Sequence, residues 1–209
     1  MPLFPPLYAI VDSSLSVDRA IAFVRALSGA GVELFQLRHK TASAAAVCAE
    51  TRALLACIAS ANVRLIVNDR PDIAAITGAA GVHVGQEDLS VEAAREICGS
   101  SRWVGVSTHN LDQLREADRT SADYIAVGPI FPTATKGNPD PVAGVEFVCA
   151  ARSLTRKPLV AIGGITAGSA EQVYRAGADS VAVIHDLIAA TDPAARAREY
   201  LSAAERARS

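Results

Sequence analysis

The segment Gln36-Leu37-Arg38-His39-Lys40 alternates polar side chains along a short stretch. In an extended chain a period of two sends Gln36, Arg38 and Lys40 to one face. A guanidinium and an ammonium on that face suit a multiply charged anion, because Arg forks onto phosphate oxygens while Lys acts as a point charge. Lys136 adds a third cation farther along the chain. Asp69 and Asp88 each follow a short apolar run. Two such carboxylates brought together suit Mg²⁺, which completes its octahedron with substrate phosphates and water. Plainer alternatives stand beside these readings: a solvated strand end for Arg38 and Lys40, a cap for a helix starting near Pro71 for Asp69, and a loop cap for Asp88. Gly163-Gly164 lets backbone amides approach a phosphate, although a glycine pair also makes an ordinary tight turn. His83 and His109 read equally well as internally satisfied side chains or as ligand contacts. No nucleophile-base-orienter set is recognisable, so the chemistry on offer is positioning and electrostatics.

Elements that hold these residues recur along the whole chain. Branched, nearly continuous apolar runs occur at LYAIV from Leu7, VELFQL from Val32, RLIVN from Arg64, GVHVG from Gly81, and then at WVGVS, YIAVG, LVAIG and SVAVI, eight in all. Each is too short for a stable helix and has the composition of a strand covered on both faces. Helix-period stripes separate them, such as Val17, Ala20, Ile21, Val24 and Leu27, or Val47, Thr51, Leu54, Leu55 and Ile58. Ser16, Ser43 and Ser90 sit where N-caps are needed, Asn110 with Gln113 gives a capping-box pattern, and Asp192 precedes Pro193 as a cap before an N1 proline. Strict alternation repeated eight times within 209 residues favours a closed (β/α)8 TIM barrel over an open doubly wound sheet. One domain spanning residues 1–209 is expected, because half the residues are apolar and no linker interrupts the pattern. The longest irregular stretch, residues 129–144, reads as an active-site loop after the sixth strand.

In such a barrel the chemistry lies at the C-terminal strand ends. Polar residues fall there: Asp12; Gln36, Arg38 and Lys40; Asn68 and Asp69; Gln86 and Asp88; Ser107, Thr108 and His109; Thr133, Thr135 and Lys136; Gly163 and Gly164; and His185 beside Ile184. Partner classes narrow as well. Twenty basic against 22 acidic residues in mixed order give a net charge of -2, which leaves no basic track for nucleic acid or an anionic membrane. A small phosphorylated molecule is the expected partner, and a homo-oligomer is left open. Cys48, Cys57, Cys98 and Cys149 are too dispersed for a zinc site or disulfide framework and read as packed thiols of a reducing, cytoplasmic compartment.

Six segments in order then resemble one family: QLRHK at Gln36, VNDRPDIA at Val67, GVHVGQEDL at Gly81, GVSTHN at Gly105, DYIAVGPIFPTATK at Asp123 and PLVAIGGI at Pro158. Together they resemble the thiamine phosphate synthase (thiamine-phosphate pyrophosphorylase) family over nearly the whole chain. The resemblance implies a transferase that joins 4-amino-2-methyl-5-hydroxymethylpyrimidine diphosphate to hydroxyethylthiazole phosphate or its carboxylated precursor, releasing pyrophosphate through a dissociative pyrimidine carbocation. It implies that Gln36, Leu37, Arg38, His39, Lys40, Asn68, Ser107 and Lys136 contact the pyrimidine diphosphate and that Asp69 and Asp88 hold Mg²⁺. Thr133, Ala134, Thr135, Gly164, Ile184 and His185 would hold the thiazole phosphate. Arg38, Lys40, Lys136 and Ser107 are the residues expected to carry the chemistry. One departure is His185, where the family usually has serine. The alternatives are a thiazole tautomerase of the same fold, which tends to lack the Asn-Asp and Gly-Gln-x-Asp pattern, and a non-catalytic phosphate-binding barrel, expected to lose Asp69, Asp88 or Lys136.

Overall fold

Each branched run becomes a strand because a β-branched side chain is comfortable on a pleated surface, and helices on the outside cover what the strands expose. The computed structural model describes residues 4–58, 62–133 and 141–209. Along it run β1 (Leu7–Asp12), α1 (Val17–Gly29), β2 (Leu34–Arg38), α2 (Ala44–Ile58), β3 (Arg64–Asn68), α3 (Pro71–Thr77), β4 (Gly81–Val84) and α4 (Val91–Cys98). Then follow β5 (Trp103–Thr108), α5 (Leu111–Asp118), β6 (Tyr124–Val127), α6 (Val145–Leu154), β7 (Leu159–Ile162), α7 (Ala167–Arg175), β8 (Ser180–Val183), α8 (His185–Ile188) and α9 (Pro193–Arg208). The strands pair in sequence order, all parallel, and β8 closes onto β1. The expected (β/α)8 barrel is the observed fold, with the single turn α8 inserted before the last helix.

Strand parity creates two cores. Outward side chains such as Phe35, Leu37, Val67 and Val181 pack with the helices, whereas Tyr8, Ile10, Leu34, Ile66, Tyr124, Ala126 and Val160 fill the barrel. Below them Phe4 stacks on Trp103 with ring centroids 5.3 Å apart, and the Arg64 guanidinium lies 4.5 Å from the Trp103 centroid. Two similar pegs tie helices to strand starts on that face. Arg95 of α4 holds Asp123, whose carboxylate accepts the Val104 amide, and Arg152 of α6 holds Asp179, which accepts the Leu159 amide. The N-terminal face is therefore built for stability, which leaves the opposite face for chemistry.

The expected caps are largely in place. Ser43, Ser90, Asn110 and Asp192 each accept an amide of the first turn, and Pro193 starts α9. Ser16 occupies the N-cap of α1 without a side-chain bond. Gln113 reaches one residue farther back than a capping box requires and accepts the His109 amide at 2.7 Å. All four cysteines are unpaired; Cys98 is buried, Cys48 and Cys57 are partly covered, and Cys149 is exposed rather than packed. Among the described residues no helix is long and apolar enough to cross a membrane.

Candidate active site

A cavity of about 700 Å³ opens at the C-terminal ends of the strands. Its floor is apolar, with Ile10, Ala126, Val160, Ile162 and Ala182 contributing. Of the residues expected from the sequence, Gln36, Arg38, Asn68, Ser107, Thr133, Gly164, Ile184 and His185 line it. Lys40 lies beyond the end of β2, more than half exposed, with its Nζ 4.0 Å from Asp69 Oδ2. It thus stands at the rim rather than in line with Gln36 and Arg38. Leu37 and His39 point the other way. Leu37 is fully buried in the outer core, and His39 Nε2 lies 2.8 Å from Glu50 Oε2 of α2, so a ligand contact at either position is left to the backbone. Ala134, Thr135 and Lys136 fall outside the described residues.

Asp69 and Asp88 are brought together, as expected. Asp88 also accepts the Gly85 amide at 2.8 Å and so does cap its loop, whereas Asp69 does not cap α3, whose N-cap is Arg70. Asp69 adopts a left-handed backbone with φ 60°, an unusual conformation for a non-glycine residue, and its amide bonds to the His83 carbonyl. Partial burial, followed by hydrogen bonding and repulsion from Asp88, pushes its carboxyl up to about 6, against the opposing pull of Lys40 and Arg38. Among the described residues no group of three His, Cys, Asp or Glu side chains is placed to hold a metal. Two mutually repelling carboxylates nonetheless fit a hard cation whose remaining ligands are water and substrate phosphate, the usual donor set for Mg²⁺.

The glycine pair has a packing reason. Gly163 and Gly164 have φ of 91° and 64°, and a Cβ at Gly164 would lie 2.4 Å from the Pro132 carbonyl oxygen. The Ile130 and Phe131 amides donate to the carbonyls of Ile162 and Gly163, so the pair seats the loop after β6 against β7. Gly164 still lines the cavity.

Sequence reasoning missed Tyr8 and Tyr124 beneath the polar rim, while His83 is the internally satisfied side chain that one of its two readings gave. Gln36 Nε2 donates to the Tyr8 hydroxyl at 2.8 Å, and the hydroxyls of Tyr8 and Tyr124 are 2.9 Å apart. His83 joins Tyr124 to Ser107, with Nδ1 3.0 Å from the Tyr124 hydroxyl and Nε2 2.8 Å from Ser107 Oγ. Burial drives the His83 imidazole down to about 4, against a small opposing pull from Asp88, so it is neutral near pH 7. The same burial raises both tyrosine hydroxyls above their ordinary value. Asn68 sits in the same row of the barrel as His83, and its buried Nδ2 has no protein partner among the described residues. A buried donor without an acceptor is costly, so an Asn68 amide facing the cavity is suited to a ligand acceptor. For the two tyrosines the only advance signal was parity: positions 8 and 124 are inward-facing. Asp186 was missed too; its carboxylate accepts from Tyr200 at 2.7 Å and from the Ala167 amide at 3.2 Å, tying α8 to α7 and α9.

Comparison with known proteins agrees with this architecture. A family model described as thiamine monophosphate synthase matches residues 7–187. The thiamine-phosphate synthase of Koribacter versatilis is 48% identical over 202 residues, 94% of each chain. That of Shouchella clausii is 40% identical over 204 residues, covering 96% of this chain and 97% of its own. Among solved structures, thiamine phosphate pyrophosphorylase from Pyrococcus furiosus superposes with a TM-score of 0.87 at 29% identity, covering 97% of this chain and 96% of its own. With a barrel closed in sequence order, a polar mouth at its strand ends and relatives matched along nearly its whole length, the chain belongs to the thiamine monophosphate synthase family.

Proposed function

We propose that this chain is a thiamine-phosphate synthase, a transferase that forms a C–N bond between 4-amino-2-methyl-5-hydroxymethylpyrimidine diphosphate and either hydroxyethylthiazole phosphate, with loss of pyrophosphate, or its carboxylated form, with loss of pyrophosphate and CO2. The supporting observation is the pairing, within one cavity mouth, of an apolar floor with Arg38, Lys40 and the Asp69–Asp88 pair at the rim. A flat heterocycle settles on such a floor while its diphosphate reaches the charged rim. Gln36, Asn68 and Ser107 supply the polar contacts at mid-depth. Arg38 and Lys40, with Lys136, which follows β6 in sequence, stabilise the charge that develops on the departing pyrophosphate. Thr133, Gly164 and the backbone at Ile184 and His185 hold the second, thiazole phosphate.

Asp69 and Asp88 are the residues that would hold Mg²⁺, which supplies Lewis-acid stabilisation of the leaving group worth several kcal/mol when bound. No general base is required. Departure of pyrophosphate leaves a carbocation that the amino-pyrimidine stabilises by resonance, and the thiazole nitrogen already carries the electron pair that captures it. What the protein must do is hold the two rings together and keep water from trapping the cation, which the enclosed apolar floor favours. The unpaired cysteines agree with action in the reducing cytoplasm.

Incubating the purified chain with both substrates and Mg²⁺ should yield thiamine phosphate and pyrophosphate. Absence of that product, with isomerisation of the thiazole instead, would select a tautomerase.

A further inference from the structure

With the Gln36 amide nitrogen, not its oxygen, against Tyr8, the four hydrogen bonds from Gln36 to Ser107 admit one direction in which every buried proton finds a protein acceptor. Tyr8 is 1% exposed and Tyr124 is fully buried, and each hydroxyl has one proton to place. The Tyr8 oxygen already accepts from Gln36. If Tyr124 donated to Tyr8, the Tyr8 proton would have no acceptor among the described residues. Tyr8 therefore donates to Tyr124, and the Tyr124 proton is left for His83 Nδ1. A neutral imidazole that accepts at Nδ1 must carry its proton on Nε2, so it donates to Ser107 Oγ. The Ser107 hydroxyl proton is then free to point into the cavity that Ser107 lines. At the other end Gln36 spends an N–H on Tyr8, and its Oε1 has no protein partner among the described residues. Thus one end of the chain presents an acceptor and the other a donor.

We propose that Tyr8, Tyr124 and His83 are positioning residues that fix the polarity of the cavity, holding Gln36 as acceptor and Ser107 as donor toward the ligand. The ligand edge that matches has a donor and an acceptor in reach of these two groups, as an amino group beside the nitrogens of a heterocycle does. This rests on the functional reading above for the identity of that heterocycle, but the polarity itself does not. None of the three residues needs to touch substrate: reversing the tautomer of His83 would turn Ser107 inward to donate to Nε2 and remove its proton from the ligand.

The polarity is read directly from the long-range ¹H–¹⁵N spectrum of the His83 imidazole in the ligand-free protein. A single neutral species protonated at Nε2 is expected, and loss of that single tautomer is expected in Tyr124→Phe. A wild-type imidazole protonated at Nδ1, or a Tyr124→Phe spectrum identical to wild type, overturns the proposal. Kinetics give the second arm. Tyr124→Phe and His83→Leu should lower kcat/KM for the pyrimidine diphosphate roughly tenfold, the size of one misdirected hydrogen bond. The KM for thiazole phosphate should change by less than about threefold, because a contact on one ring is all that is lost. His83→Gln, whose side-chain amide can donate where Nε2 does, should recover most of what His83→Leu loses. Equal losses toward both substrates, or no recovery with Gln in folded variants, would assign these residues a purely structural role. A wild-type chain that forms no thiamine phosphate would sink the functional reading, while the tautomer would still decide the polarity.

Discussion

Gly105 and Tyr124 are a matched pair: a Cβ on Gly105 would lie 2.0 Å from the Cζ of Tyr124, so the tyrosine ring fills the space that the missing side chain leaves. The two residues face each other directly across β5 and β6. The glycine is needed here for room rather than for backbone freedom, because the ring it admits carries the hydroxyl at the centre of the buried hydrogen-bonded chain.

Gly105→Ala should therefore be far worse than an ordinary glycine substitution in a strand. The methyl cannot be accommodated without moving a fully buried ring, and overpacking of that kind costs about 3 kcal/mol or more. A fall in melting temperature together with loss of activity is expected. A variant as stable as wild type would mean that Tyr124 has another place to go.

The carboxylate pair makes a separate prediction. EDTA should abolish condensation, and Asp88→Asn should slow it on the order of tenfold to a hundredfold if a bound cation carries part of the leaving-group charge. Mg²⁺ should also raise the melting temperature of the wild type near neutrality, because a cation that binds only the folded state stabilises it and relieves the repulsion between Asp69 and Asp88. Full turnover in EDTA, with no thermal shift, would remove the metal from the reading.

Arg38 lines the cavity mouth, and its charge helps to hold down the carboxyl of Asp69. Arg38→Ala should leave the fold intact while kcat/KM for the diphosphate substrate falls at least tenfold, the loss of a charge-assisted contact of about 1.5 to 3 kcal/mol. Unfolding of the variant would instead make Arg38 a structural residue.

The barrel was legible because its signal is local: each strand announces itself in a few branched residues, and each rim residue follows one directly. Alternation within a strand was legible as well, and it explains why Gln36 and Arg38 share the cavity. Applied consistently, it also sends Leu37 outward to the helical core and His39 to Glu50, although both belong to the same motif. Lys40 escapes the rule because β2 ends at Arg38, and by the second residue beyond that end the pleat no longer sets direction. The Tyr8–Tyr124 contact joins positions 116 apart in sequence, and although Tyr124 lies in the segment DYIAVGPIFPTATK, nothing in that segment points to Tyr8. Only closure of the barrel makes them neighbours, and periodicity along one strand says nothing about which inward side chains meet across the interior. Gly163-Gly164 was legible as a special turn, but the Pro132 carbonyl it must clear was not.

The buried imidazole of His83 should leave its mark on stability as a function of pH. Its ordinary value is 6.5 and burial lowers it to about 4, so between those two values the unfolded chain holds more protons than the folded one. Stability from this source is complete above pH 6.5 and is lost as pH falls toward 4, by up to roughly 3 kcal/mol. Asp69 runs the other way: raised from 3.8 to about 6, it makes the folded chain hold more protons over much of the same range and favours folding as pH falls. Because the two slopes oppose each other, the wild-type profile alone is ambiguous, and the difference from a variant isolates one of them. The stability of wild type relative to His83→Gln, from urea melts at about pH 7 and about pH 4.5, should shift against wild type at the lower pH. A difference that stays constant between the two would mean that His83 takes up its proton as readily in the folded barrel as in the unfolded chain, and that the interior around Tyr124 is open to water.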